Sequence, residues 1–106
     1  MRATLQTLEQ TIRQRRSADP SASYVAKLAA KGRAKIAQKV GEEAVEAVIA
    51  AMADDRQDLI GESADLIFHL MMLLADLDVP FDAVLDELDR REGVSGIAEK
   101  AARPKD

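Results

Sequence analysis

The chain has 106 residues, with 15 Lys+Arg against 19 Asp+Glu, a single His, and no Cys or Trp. That length suits one domain, and the lack of Cys excludes a disulfide framework, a thiolate metal site and a cysteine nucleophile. A composition 47% apolar and 32% charged is that of a globular chain, and the net charge of −4 with only 3% aromatics argues against a nucleic-acid binder.

Every strong periodic signal is helical. Leu5, Leu8 and Ile12 recur at i, i+3 and i+7 and predict a first helix from about Ala3 to Arg16. Ser17 to Ser21, with Pro20 inside, reads as a loop, and a short helix is predicted from Ala22 to Lys31, ended by Gly32. Good helix formers then run from Arg33 to about Ala53. Asp54 and Asp55 break that run, and Asp55 is placed to cap the next helix, Arg56 to Leu77. Asp78-Val79-Pro80 is a further break, after which Phe81, Val84, Leu85 and Leu88 mark one apolar face ending near Arg91. The tail beyond Gly93 has room for one helical turn or two. The predicted fold is therefore all-α, an antiparallel bundle of four to five helices built around a hairpin. The longest apolar run, Leu70 to Ala75, is far shorter than the roughly 20 residues that span a bilayer. With no apolar leader either, a cytoplasmic protein without membrane contact is expected.

Helix 56–77 is apolar over more than half of its circumference, through Leu59, Ile60, Leu66, Ile67, Phe68, Leu70, Met71, Leu73, Leu74 and Leu77. A chain this small offers little core to cover it, so homodimerisation through this helix is expected. Met71 and Met72 are read as core fillers.

Charge is unevenly placed. Residues 1–41 carry nine basic and two acidic side chains, residues 42–89 one basic and fourteen acidic, and residues 90–106 five basic and three acidic. Two readings of the acidic centre stand at this point: a solvated face, or a cation site flanked by basic groups that hold an anion. On helix 56–77 the polar residues Asp58, Glu62, Asp65, His69 and Asp76 share one stripe. The preceding helix offers Glu42, Glu43 and Glu46, with Lys39 placed to pair with Glu43 at i+4. If Asp54-Asp55 is the bend, Glu46 matches Glu62 and Glu43 matches Asp65 to within about 2 Å of height at 1.5 Å per residue. Glu43, Glu46, Glu62 and Asp65 then converge between antiparallel helices. Four close carboxylates cannot all stay ionised without a counter-cation, and an all-oxygen set selects Mg²⁺, or Mn²⁺. A di-iron site is excluded, because it needs Glu-x-x-His pairs, and Leu66 stands three residues before the lone His69. His69 itself reads either as a donor orienting a ligand or as a half-buried ring facing a neighbouring helix. Tyr24 reads either as a ring that stacks on the base or as a core residue, and the core is its expected place.

Gly41-Glu42-Glu43-Ala44-Val45-Glu46 and Glu62-Ser63-Ala64-Asp65-Leu66 together resemble the E-E-x-x-E … E-x-x-D signature of the all-helical, MazG-like nucleotide pyrophosphatases. Ser23 to Leu28, Lys39 to Glu43, His69-Leu70 and Arg90 to Lys100 narrow the resemblance to the phosphoribosyl-ATP pyrophosphatases of histidine biosynthesis. The resemblance covers about Leu5 to Arg103. It implies Mg²⁺-dependent hydrolysis of phosphoribosyl-ATP to phosphoribosyl-AMP and pyrophosphate. It further implies that Glu43, Glu46, Glu62 and Asp65 are metal ligands, that Glu42 handles the attacking water, and that Lys27, Lys39, Arg91, Ser95 and Lys100 bind the polyanionic substrate. Two other readings remain at this level, a house-cleaning pyrophosphatase for noncanonical triphosphates and a non-catalytic helical dimerisation module.

Overall fold

The computed structural model describes residues 2–93 and 96–104, and all regular structure among them is helical. Six helices follow in order: α1 (Arg2–Arg15), α2 (Tyr24–Lys31), α3 (Arg33–Met52), α4 (Arg56–Asp76), α5 (Phe81–Arg91) and α6 (Gly96–Ala102). This is one more than the expected four to five, because the tail forms a seven-residue helix of its own.

Short polar side chains set the helix ends. Ser23 Oγ accepts from the Ala26 amide at 3.3 Å, so α2 begins at Tyr24 rather than at Ala22. Gly32 adopts φ 95°, a region that side-chain-bearing residues avoid, and lets α3 start immediately after α2. Asp55 caps α4 as expected, accepting from the Asp58 amide at 3.0 Å. Asp54 and Asp78 both sit at φ 56°, the left-handed conformation that Asp tolerates better than most residues, and each turns the chain out of a long helix. At the start of α5, Pro80 occupies the cap position without a capping side chain. Glu9 of α1 supplies the missing acceptor, taking the Phe81 amide at 2.7 Å. Glu9→Ala is therefore expected to cost about 1 kcal/mol, the usual worth of a helix cap. The check is the urea midpoint, with Glu9→Gln recovering most of the loss because it keeps an acceptor.

α3 and α4 form the antiparallel hairpin at the centre, with α1 laid against α4 and α2 against α3. Ile12, Val25, Leu28, Ile36, Met71, Met72 and Ala75 make the buried core, and Leu5 and Leu8 pack partly against it. Polar ties lock the far end of α4: Arg16 donates to the Ala75 carbonyl, Arg13 to Asp78 at 2.9 Å, and Arg33 to Asp76 at 2.7 Å.

The hairpin is not fully covered. Val45, Val48, Ile49 and Met52 on α3 lie at 0, 3, 4 and 7 residue offsets and are exposed, as are Ile60 and Ile67 on α4. The radius of gyration is 15.9 Å, against about 13 Å for a compact chain of this length. Among the described residues, no helix is long and apolar enough to cross a membrane.

Candidate active site

Antiparallel pairing brings the expected acids together. Glu43 of α3 and Glu62 and Asp65 of α4 each offer a carboxylate oxygen, and these oxygens all lie within 4.8 Å of one another. Glu46, one turn further along α3 and exposed, stands within hydrogen-bonding reach of Glu62. The four acids thus form a compact group of three with Glu46 joined at the edge through Glu62.

Electrostatics makes this group unstable alone. Hydrogen bonds from protonated Glu62 to Glu46 and then to Glu43, with desolvation and the charges of both neighbours, push the Glu62 carboxyl up to about 8. When all are ionised, nothing between them can donate a hydrogen bond. Glu43 Oε2 and Glu62 Oε2 are both buried without a hydrogen-bond partner. Orphaned, converging carboxylate oxygens at this spacing fit a hard divalent cation, which takes oxygen ligands at roughly 2.0–2.6 Å.

Glu42 faces elsewhere. It is exposed, accepts from Gln38 Nε2 at 3.0 Å, and lies 3.9 Å from Lys39 Nζ. The Gln38 hydrogen bond, aided by the charges of Lys39 and Lys35, holds its carboxyl below the usual range. Lys39 therefore pairs with Glu42 at i+3 and not with Glu43 at i+4 as expected, because Glu43 turns inward to α4.

His69 is 6% exposed, more deeply buried than the half-buried ring of the second expectation. Its Nδ1 lies 2.8 Å from the Asp65 carbonyl oxygen and 3.9 Å from Glu43 Oε1, and its Nε2 lies 2.9 Å from the Tyr24 hydroxyl. Tyr24 is not a core residue: it is 49% exposed, with its ring 6.0 Å from that of Phe68. Its position as the first residue of α2 leaves one ring face at the surface while the hydroxyl reaches inward. The remaining members of the polar stripe separate. Asp58 lies in the first turn of α4, where the helix dipole favours an anion, and Asp76 is taken by Arg33.

Of the expected anion-binding residues, Lys27 lines an open groove of about 590 Å³ with Pro20, Ser21, Ala22, Ser23 and Tyr24. Arg91 donates to Glu87 at 2.9 Å, and together with Arg90 it pulls the Glu87 carboxyl down to about 2. Lys100 is exposed on α6. Neither α5 nor α6 packs extensively against α3 or α4. Ser95 lies outside the described residues. Two features had no signal in the sequence: the Tyr24–His69 bond across 45 positions and the Glu9 cap across 72.

Residues 5–92 match the family described as phosphoribosyl-ATP pyrophosphohydrolase, a span that holds all four clustered acids, Glu42 and Arg91. A phosphoribosyl-ATP pyrophosphatase of Rhizorhabdus wittichii is 70% identical over 105 residues, covering 99% of each chain. The protein of the same name in Novosphingobium aromaticivorans is 72% identical over 99 residues, covering 93% of this chain and 92% of that one. That of Zymomonas mobilis is 62% identical over 102 residues, covering 96% and 95%. With most of its length matched by the family and by whole-length relatives of one name, this chain belongs to the phosphoribosyl-ATP pyrophosphohydrolase family of hydrolases.

Proposed function

We propose that the chain hydrolyses phosphoribosyl-ATP to phosphoribosyl-AMP and pyrophosphate, a step of histidine biosynthesis, in a reaction that requires Mg²⁺ or Mn²⁺. The observation that carries the metal dependence is the close group of Glu43, Glu62 and Asp65, with two buried oxygens that have no donor. Those three residues, with Glu46, hold the ion. A bound divalent cation neutralises triphosphate oxygens and the charge that develops on the leaving pyrophosphate.

The chain's own groups do the rest. Glu42 lies next to the ligands in sequence but outside the cluster, and its exposed, ionised carboxylate positions the attacking water by accepting a hydrogen bond from it. Lys27 beside its groove and Lys39 on α3 provide positive charge for phosphates. Arg91, Ser95 and Lys100 add further anion contacts from the C-terminal segment. The exposed apolar face of α3 and α4 pairs two copies of the chain into a homodimer, and the enzyme works in the cytoplasm. An acidic, aromatic-poor centre offers nothing to nucleic acid.

The test is pyrophosphate release with and without Mg²⁺, from phosphoribosyl-ATP and from ordinary and damaged nucleoside triphosphates. Preference for phosphoribosyl-ATP, lost on chelation, is the expected outcome. Preference for damaged triphosphates defeats the pathway assignment, and no dependence on divalent ions defeats the metal site.

A further inference from the structure

Three side chains in a row connect the groove at the start of α2 to the carboxylate cluster. The Asp65 carbonyl can only accept, so the hydrogen of a neutral His69 ring resides on Nδ1, 2.8 Å away. Nε2 then presents a lone pair, and the Tyr24 hydroxyl donates to it at 2.9 Å. Both ring nitrogens are satisfied in this tautomer alone. In the other, a ring N–H would meet the hydroxyl and a lone pair would face the carbonyl. The plane of the ring is held as well, by edge-on packing against Phe68 at 5.1 Å and Tyr24 at 6.0 Å between centroids.

The orientation matters because of what lies beside Nδ1. Glu43 Oε1 is 3.9 Å from it, and the other oxygen of Glu43 is one of the two buried orphans. A polar N–H edge next to Glu43 attracts that carboxylate, whereas a lone pair in the same place repels it. The same N–H holds the backbone of Asp65, whose side chain is in the cluster. His69 is almost wholly buried, so water does not replace a lost partner at Nε2.

We infer that Tyr24 is a positioning residue of this site: with the tautomer of His69 set by the Asp65 carbonyl, the Tyr24 hydroxyl occupies the buried Nε2 and holds the ring in place, and His69 in turn sets Glu43 and the turn of α4 that carries Asp65. This inference rests on the reading of the carboxylate group as the reactive metal site.

The experiment is Tyr24→Phe in the full chain, which keeps the ring packing and removes only the hydroxyl. His69 is the sole histidine, so ¹⁵N-histidine labelling gives one ring whose tautomer is read directly by NMR. The wild-type metal-free protein is expected to show hydrogen on Nδ1 and a hydrogen-bonded Nε2, and Tyr24→Phe to keep hydrogen on Nδ1 while the Nε2 resonance moves to that of an unbonded lone pair. With saturating Mg²⁺, kcat falls about tenfold, the low end for loss of a group that orients a metal ligand, while KM for phosphoribosyl-ATP stays within about twofold. In His69→Asn the side-chain amide takes the place of Nδ1–H, and adding Tyr24→Phe to it is expected to change kcat no further. A wild-type ring protonated on Nε2 overturns the inference, whether or not Tyr24→Phe folds. Equal losses from Tyr24→Phe in both backgrounds overturn it too. If Glu62→Gln abolishes turnover while Tyr24→Phe leaves the Nε2 resonance and kcat unchanged, only this inference fails. If Glu62→Gln leaves turnover intact, the metal-site reading itself fails.

Discussion

Glu62→Gln is expected to reduce metal-dependent pyrophosphate release by about 10²-fold or more, since Lewis-acid stabilisation is worth several kcal/mol and each tenfold corresponds to about 1.4 kcal/mol. Far-UV circular dichroism should show the helices unchanged. Asp65→Asn should behave alike, because both residues face the same point from consecutive turns of α4. The metal-free protein should respond in the opposite sense. Glu62 has a carboxyl raised from 4.5 to about 8 in the fold, so its contribution to stability is fully present below pH 4.5 and is lost as pH rises through about 8. A thermal scan of the metal-free wild type is expected to show falling stability across that window. Glu62→Gln should flatten the decline, and Mg²⁺ should abolish it in the wild type only. A metal-free protein whose stability does not fall through this window, or an active Glu62→Gln, contradicts the carboxylate site.

Ile49→Glu is expected to convert the protein to a monomer. Ile49 is 61% exposed in a single chain and sits among Val45, Val48 and Met52 on one face of α3. Covering a large aliphatic side chain contributes about 1.5–3 kcal/mol, and burying an unpaired carboxylate in its place costs more. The dimer dissociation constant should therefore rise by about 10²-fold or more, as measured by sedimentation. The thermal midpoint of the wild type should climb with protein concentration, and that of the variant should not. On a surface that stays exposed, the same substitution changes stability by only about 0.5 kcal/mol. A wild type that sediments as a monomer at all concentrations sinks the dimer.

The helices and their breaks are local matters, which is why they were readable. Gly32 and the aspartates at 54 and 55 act through their own backbone and nearest amides, so position in the chain alone identifies them. The meeting of Glu43 with Glu62 and Asp65 was readable for a related reason: a tight bend and a 1.5 Å rise determine which heights face each other. The misplacements all involve a choice among neighbours at similar distance. Lys39 can reach i+3 or i+4, and only the inward turn of Glu43 selects Glu42. Tyr24 is apolar enough for a core, but its place at the head of α2 and the lone pair on His69 decide where it goes.

Periodicity and composition were enough to establish an all-helical chain, its hairpin and a carboxylate meeting point, because helical geometry converts spacing into height and direction without reference to distant residues. The protonation pattern of His69, the Glu9 acceptor for α5 and the orphaned oxygens of Glu43 and Glu62 arise only once segments far apart in the chain are packed together. Hydrogen bonds between such segments, and the exclusion of water around them, depend on three-dimensional proximity, and no repeat or motif along the chain encodes them.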